Sequence, residues 1–186
     1  MELVWPSLQY LPSYAEALER GWSADNERGA VAGQEELAKI KADPAAFVAS
    51  LVDVEAQGAP IKLPDGSTVP RLPGYRRWLW DGELCGSIGF RWQPGTTALP
   101  SHCLGHIGYA VVPWKQGRGY ATLALRLLLP EARATGMAFV EITTNADNVA
   151  SQRVILANGG ALVESFNKPA QFGSRPALRY RIALEI

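Results

Sequence analysis

The sequence predicts one mixed α/β domain with a helical first third, an antiparallel meander, and a strand–helix–strand crossover followed by two more strands. Three observations carry this. Residues 1–60 hold apolar side chains at helical spacing, bounded by capping signals. From about Ile61 the texture changes to aromatic, extended runs broken by Asp81-Gly82 and proline-rich turns. Beyond Gly105, strand and helix signals alternate. The 186 residues suit a single domain, and 47% hydrophobic with 19% charged residues is enough to bury a core.

Each element has its own signal. Ser13-Tyr14-Ala15-Glu16 has capping-box spacing, and Gly21 stops that short helix. Asp43 ahead of Pro44 opens a second helix over 45–55, on which Phe47, Leu51 and Val54 share a face before Gly58-Ala59-Pro60 ends it. Leu63-Pro64-Asp65-Gly66-Ser67 is a turn, and 70–74 a proline-rich connector. Strands follow over 75–80 and 83–92, joined by the Asp81-Gly82 hairpin signal, and 93–101 is a loop. The second half reads as a strand over 105–112, a helix over 119–135 stopped by Gly136, and a strand over 138–144. A helix over 150–157, closed by Asn158-Gly159-Gly160, leads to strands over 161–166 and 177–184. Strand, helix, strand in this order predicts a parallel pair with a right-handed crossover. Pro130 removes a backbone donor inside the helix and predicts a kink.

Composition excludes several classes. Eighteen basic residues balance eighteen acidic ones, which argues against nucleic-acid binding through bulk positive charge. Any bound anion must therefore be held by a local site. The apolar run at Leu127-Leu128-Leu129 is too short to span a membrane. Met1-Glu2-Leu3-Val4-Trp5-Pro6 lacks the pattern of a signal peptide. With only two cysteines, Cys85 and Cys103, a cytoplasmic protein with free thiols is expected. Cys85, His102, Cys103 and His106 match no familiar zinc spacing, so no metal is expected.

The chemistry sits in Val111-Val112-Pro113-Trp114-Lys115-Gln116-Gly117-Arg118-Gly119-Tyr120-Ala121-Thr122. A strand stops, a loop carries two glycines and two cations, and a helix starts. The first amides of that helix lack intrahelical acceptors, and its dipole adds partial positive charge. Gly117 and Gly119 let an anion approach the backbone, while Lys115 and Arg118 add charge. This is a recipe for holding a phosphate or pyrophosphate. It is neither a P-loop, which needs Gly-Lys-Ser/Thr, nor a dinucleotide fingerprint, since Thr122 stands where a third glycine belongs.

Gln116-Gly117-Arg118-Gly119-Tyr120-Ala121 resembles the Gln/Arg-x-x-Gly-x-Gly/Ala motif of the GNAT superfamily of acyl-CoA-dependent N-acyltransferases. Gly105-His106-Ile107-Gly108-Tyr109-Ala110-Val111 resembles that family's fourth strand. Asp147-Asn148-Val149-Ala150-Ser151-Gln152-Arg153-Val154-Ile155 resembles the Asn-x-x-Ser helix start of the branch containing ribosomal-protein acetyltransferases. The resemblance covers residues 75–165. It implies a GNAT-like fold over 1–186, a central, mostly antiparallel twisted sheet with a splayed parallel strand pair, flanked by helices. Residues 75–165 would form the acetyl-CoA-binding core and 1–60 the acceptor side.

By the same resemblance the cosubstrate is acetyl-CoA. The amides of Gln116, Gly117, Arg118, Gly119, Tyr120 and Ala121 would hold its pyrophosphate. Main-chain groups of Ala110, Val111 and Val112 would meet the pantetheine arm, with Asn148 and Ser151 close by. Asn148 and Ser151 also read as plain helix capping. A tyrosine that protonates the departing thiolate in many members is replaced here by Ile155.

The implied reaction is direct acetyl transfer in a ternary complex to a primary amine on a small molecule or peptide, and the resemblance also allows a homodimer. The amine must first lose a proton. His106 stands where related members carry a glutamate, and Glu141 on the adjacent strand is a second candidate base. The rival reading is a non-catalytic acyl-CoA-binding or regulatory domain. Helices near Ser13 and Asp43 are expected to wall the acceptor pocket, with Trp22 or the 75–80 aromatics near it.

Overall fold

Two antiparallel sheets meet at a seam, with helices on both sides, in a computed structural model that describes residues 1–184. The first third contains β1 (Glu2–Val4), α1 (Leu11–Glu19), α2 (Ala30–Ala42), α3 (Pro44–Ser50) and β2 (Val52–Asp53). A small hairpin of β3 (Ile61–Lys62) and β4 (Thr68–Val69) precedes the meander β5 (Gly74–Trp80), β6 (Leu84–Arg91) and β7 (Ile107–Val111). The remainder runs α4 (Tyr120–Arg133), β8 (Phe139–Asn145), α5 (Val149–Leu156), β9 (Ala161–Asn167) and β10 (Pro176–Ala183).

The first third is not wholly helical. β1 and β2 both pair with β5, where Leu3 opposes Leu79 and Val52 opposes Tyr75. Two- and three-residue strands carry no readable period. Ser13 does not cap α1, which begins two residues earlier with Pro12 in its first turn. Its Oγ instead accepts a hydrogen bond from Leu84 N at 2.9 Å, tying α1 to β6. Asp43 does cap α3, accepting from Ala46 N at 2.9 Å. That helix ends at Ser50 rather than 55, because the chain peels off into β2.

One sheet has the order β1-β5-β6-β7 with β2 also on β5, and the other has the order β8-β10-β9. The expected parallel pair, β7 with β8, has no ladder. The two strands approach where His106 N donates to Glu141 O at 2.7 Å, and then part into separate sheets. α4 continues past Pro130 to Arg133, with Ala134 N donating to Pro130 O, so the missing donor does not end the helix.

Alternation along the strands divides the core. Leu79, Ile88 and Phe90 face one way and pack with Leu125 and Leu128 of α4, Ile155 of α5, and Val140, Ile142 and Tyr180 of the second sheet. Trp78 and Leu84 face the other way, against Tyr14, Leu18, Trp22 and Phe47 from the N-terminal region. Tyr14 stacks on Trp78 with centroids 4.6 Å apart. Among the described residues no helix is long and apolar enough to cross a membrane, and no cluster of three or more His, Cys, Asp or Glu side chains is placed to hold a metal.

Candidate active site

β7 ends at Val111, a single 3-10 turn spans Pro113–Lys115, and α4 starts at Tyr120. Gly117 and Gly119 both have φ of 75°, a left-handed conformation that favours glycine. A Cβ at either would meet no atom within 4 Å, so the backbone there faces open space. No side chain caps α4, which leaves the amides of Tyr120 and Ala121 directed into that space. A cradle lined by open backbone at the start of a 14-residue helix fits a pyrophosphate.

Side chains of the loop are held rather than offered. Arg20 lies 3.4 Å over the Trp114 ring, bracing the turn from α1. Gln116 Nε2 donates to Val111 O at 3.3 Å. Lys115, read from the sequence as a phosphate-side cation, is buried and bound to Asp81 and Glu83 at 2.8 and 2.7 Å. Hydrogen bonds to Asp81 and then Glu83 hold its ammonium above the usual lysine range. Burial opposes charge on Asp81, but hydrogen bonds from Lys115 and from the Tyr120 hydroxyl (2.6 Å) outweigh it and keep the carboxyl well below its ordinary value. Arg118, exposed and without an ion-pair partner among the described residues, is the cation left to the loop.

β7 is the edge of its sheet along the gap. His106 O accepts from Arg91 N and Val112 N donates to Cys85 O. By the alternation of an antiparallel ladder, even-numbered residues turn their backbone groups toward β6 and odd-numbered ones toward the gap. Of Ala110, Val111 and Val112, therefore, only Val111 turns its main chain outward. Tyr109 joins it, and its carbonyl is taken by Asn26 Nδ2 at 2.9 Å. The amides of Tyr109 and Val111 face the gap.

At the start of α5, Asn148 Oδ1 caps the helix by accepting from Ser151 N at 3.0 Å. Ser151 Oγ lies 2.9 Å from the Tyr109 hydroxyl, which reaches across the gap from β7. Burial pushes the Tyr109 phenol up to about 12, so it stays protonated at neutral pH. Sequence reasoning passed over Tyr109 and Asn26, whose roles depend on partners in distant segments.

His106 and Glu141 are brought together across the seam. His106 is fully buried, and its Nδ1 accepts from Glu141 N at 2.9 Å. That bond fixes the tautomer with the proton on Nε2, leaving no lone pair free. Burial lowers its pKa to about 4, with the Glu141 charge only partly opposing this. In this geometry His106 pins the seam, with the lone pair that the expected base role requires engaged by the Glu141 amide. Glu141 Oε1 accepts from Arg181 Nη2 at 2.7 Å, and its carboxylate lines a second cleft of about 360 Å³ with Cys103, Phe166 and Arg179.

A larger cleft, about 430 Å³, lies between the 24–28 loop with α2 and α3 on one side and β5, β6 and β7 on the other. Tyr14 OH and Arg76 Nη1 both donate to Glu36, at 2.6 and 2.7 Å, fixing one wall. Buried Lys168 pairs with Glu27 across the rim. Tyr75 lines this cleft, whereas Trp22 does not and packs edge-on against Tyr14 in the core. α1 contributes no residue to this cleft, and α3 contributes Phe47 and Ser50.

Solved structures share this arrangement. An acetyltransferase from Salmonella typhimurium that modifies the N-terminal serine of ribosomal protein L7/L12 has a TM-score of 0.67 and 16% identity, covering 98% of this chain and 94% of that one. RimL, a ribosomal L7/L12 α-N-protein acetyltransferase in complex with coenzyme A, gives 0.65 and 14%, covering 98% and 93%. The microcin C7 self-immunity acetyltransferase MccE, in complex with acetyl-CoA and AMP, gives 0.63 and 17%, covering 97% and 91%. No protein of curated function matches by sequence. At these identities the likeness establishes the fold. The acetyltransferase (GNAT) domain family, however, matches residues 35–161 in sequence, a span that contains the meander, the glycine cradle and both ends of the seam. The chain belongs to the GNAT acetyltransferase family.

Proposed function

We propose that this protein transfers an acetyl group from acetyl-CoA to a primary amine of a small molecule or peptide, by direct attack in a ternary complex. The observation that carries this is the open cradle at Gly117 and Gly119, at the uncapped start of α4 and beside the free edge of β7. Amides from Gln116 to Ala121 would hold the pyrophosphate, with Arg118 adding charge. The outward amides of Tyr109 and Val111 would take the acyl-pantetheine arm and polarise the thioester carbonyl. Ser151, hydrogen-bonded to Tyr109, lies beside the same gap, and Asn148 positions Ser151 by capping its helix.

The amine would enter from the larger cleft and lose its proton to water there, since His106 and Glu141 are both engaged. The complex then needs only proximity and carbonyl polarisation from the protein. Thiol release from acetyl-CoA with a panel of amines tests the reading, and calorimetry with acetyl-CoA separates binding from turnover. Binding without turnover of any amine would favour a non-catalytic acyl-CoA-binding domain. No binding would remove both.

A further inference from the structure

The larger cleft has an uneven charge ledger. All four of its acidic side chains are engaged: Asp25 accepts the amides of Glu27 and Arg28, Glu27 holds Lys168, Glu35 holds Arg28 and Lys62, and Glu36 holds Arg76. Of its cations, Arg28, Lys62 and Arg76 are matched by those acids, and Arg71 by Asp53. Arg91 and Lys39 alone have no anionic partner among the described residues. Both are exposed; Lys39 lies on α2, whereas Arg91 closes β6 beside the edge strand β7.

Gly89 of β6 opposes Gly108 of β7, so neither position adds a side chain beside Arg91, and Arg76 Cγ lies 3.6 Å from where a Cβ on Gly89 would stand. The Arg91 guanidinium has Nη2 3.3 Å from where a Cβ on Gly108 would stand. A planar fork with no internal acceptor, laid over Gly108 and next to the strand that would hold the thioester, is suited to a planar anion.

We propose that Arg91 is an anion subsite of the acceptor pocket. The acceptor is an amine that also bears a carboxylate, which pairs with the guanidinium while the amine reaches the edge of β7. This rests on the proposed acetyl transfer, with the amine entering through this cleft.

The test compares matched acceptors: β-alanine against β-alaninamide, and the C-terminally amidated dipeptides Ser-Asp against Ser-Asn. In the parent protein kcat/KM should favour the carboxylate member of at least one pair by about tenfold or more, a difference of about 1.4 kcal/mol. In Arg91→Gln the ratio should fall to near one, and Arg91→Lys should keep part of it. Lys39→Gln, which removes the other unmatched cation, should leave the ratio alone. Acetyl-CoA affinity by calorimetry checks that each variant is folded. A parent with no preference, a preference that survives Arg91→Gln, or an equal loss in Lys39→Gln would overturn the proposal. If no amine is acetylated, the transfer reading falls, and succinate against succinamide binding, followed by NMR of the arginine side chains, decides the subsite. Succinate binding that disappears in Arg91→Gln upholds it, and none in the parent overturns it.

Discussion

Lys115 Nζ lies 2.8 Å from Asp81 Oδ1 and 2.7 Å from Glu83 Oε1, so the buried cation of the glycine loop fastens that loop to the β5–β6 turn. The loop's shape, more than its charge, is what this lysine supplies. Lys115→Met should lower stability by about 1–3 kcal/mol in denaturant unfolding. Asp81→Asn should do the same, and the double variant should lose less than the sum. Because the folded state holds the Asp81 carboxyl below its ordinary value, this stabilisation is present at neutral pH and is lost progressively as the pH falls from about 4 toward the depressed folded value.

Gly119→Glu should abolish most acetyl-CoA binding while leaving the fold intact. Gly119 has φ of 75°, so any side chain adds backbone strain of about 1 kcal/mol. Gly119→Ala measures that part. The further loss in the glutamate variant, expected at about tenfold or more by calorimetry, belongs to the carboxylate in the cradle. Equal affinities for the two variants would place the pyrophosphate elsewhere.

His106→Ala should act on stability rather than on the pH profile of turnover. Removing Nδ1 strands the buried Glu141 amide, at about 1–3 kcal/mol. With a folded pKa of about 4 against an ordinary value of 6.5, the unfolded chain takes up the proton first as pH falls. The parent should therefore lose about 3 kcal/mol between pH 6.5 and 4, and the variant should lack this component. An acidic limb in kcat/KM that vanishes with the imidazole would restore His106 as the base.

Trp22→Ala should reduce the melting temperature without changing the discrimination between acceptors. The ring packs edge-on against Tyr14, 5.6 Å between centroids, and truncation there removes about 3–5 kcal/mol. A shift in acceptor preference at unchanged stability would move Trp22 from the core to the pocket.

The second half of the fold was legible because its signals are local. Asp81-Gly82, Gly136 and Asn158-Gly159-Gly160 set turns within a few residues of the elements they end, and β5 to β10 fall within two residues of the spans read from sequence. The cradle was legible for the same reason. What escaped depends on partners far along the chain. Ser13 looks like a cap until Leu84 supplies a competing amide, and Lys115 looks like a phosphate ligand until Asp81 and Glu83 fold against it. His106 has the titration range of a base in isolation, and only burial and the Glu141 amide take that away. The gap-side orientation of Val111 follows from a register with β6 that no single-strand pattern specifies.

The Glu27–Lys168 pair at the rim of the larger cleft joins positions 141 residues apart. A contact of that separation closes nearly the whole chain into a loop, and its closure entropy is met more readily once both sheets have assembled, so the rim is expected to form after the rate-limiting state. Its strength resides in the barrier to escape from the native form. Lys168→Met should speed unfolding in stopped-flow measurements while refolding keeps the parent's rate, and the persistence of the cleft over time is then governed by one buried ammonium remote from the glycine cradle.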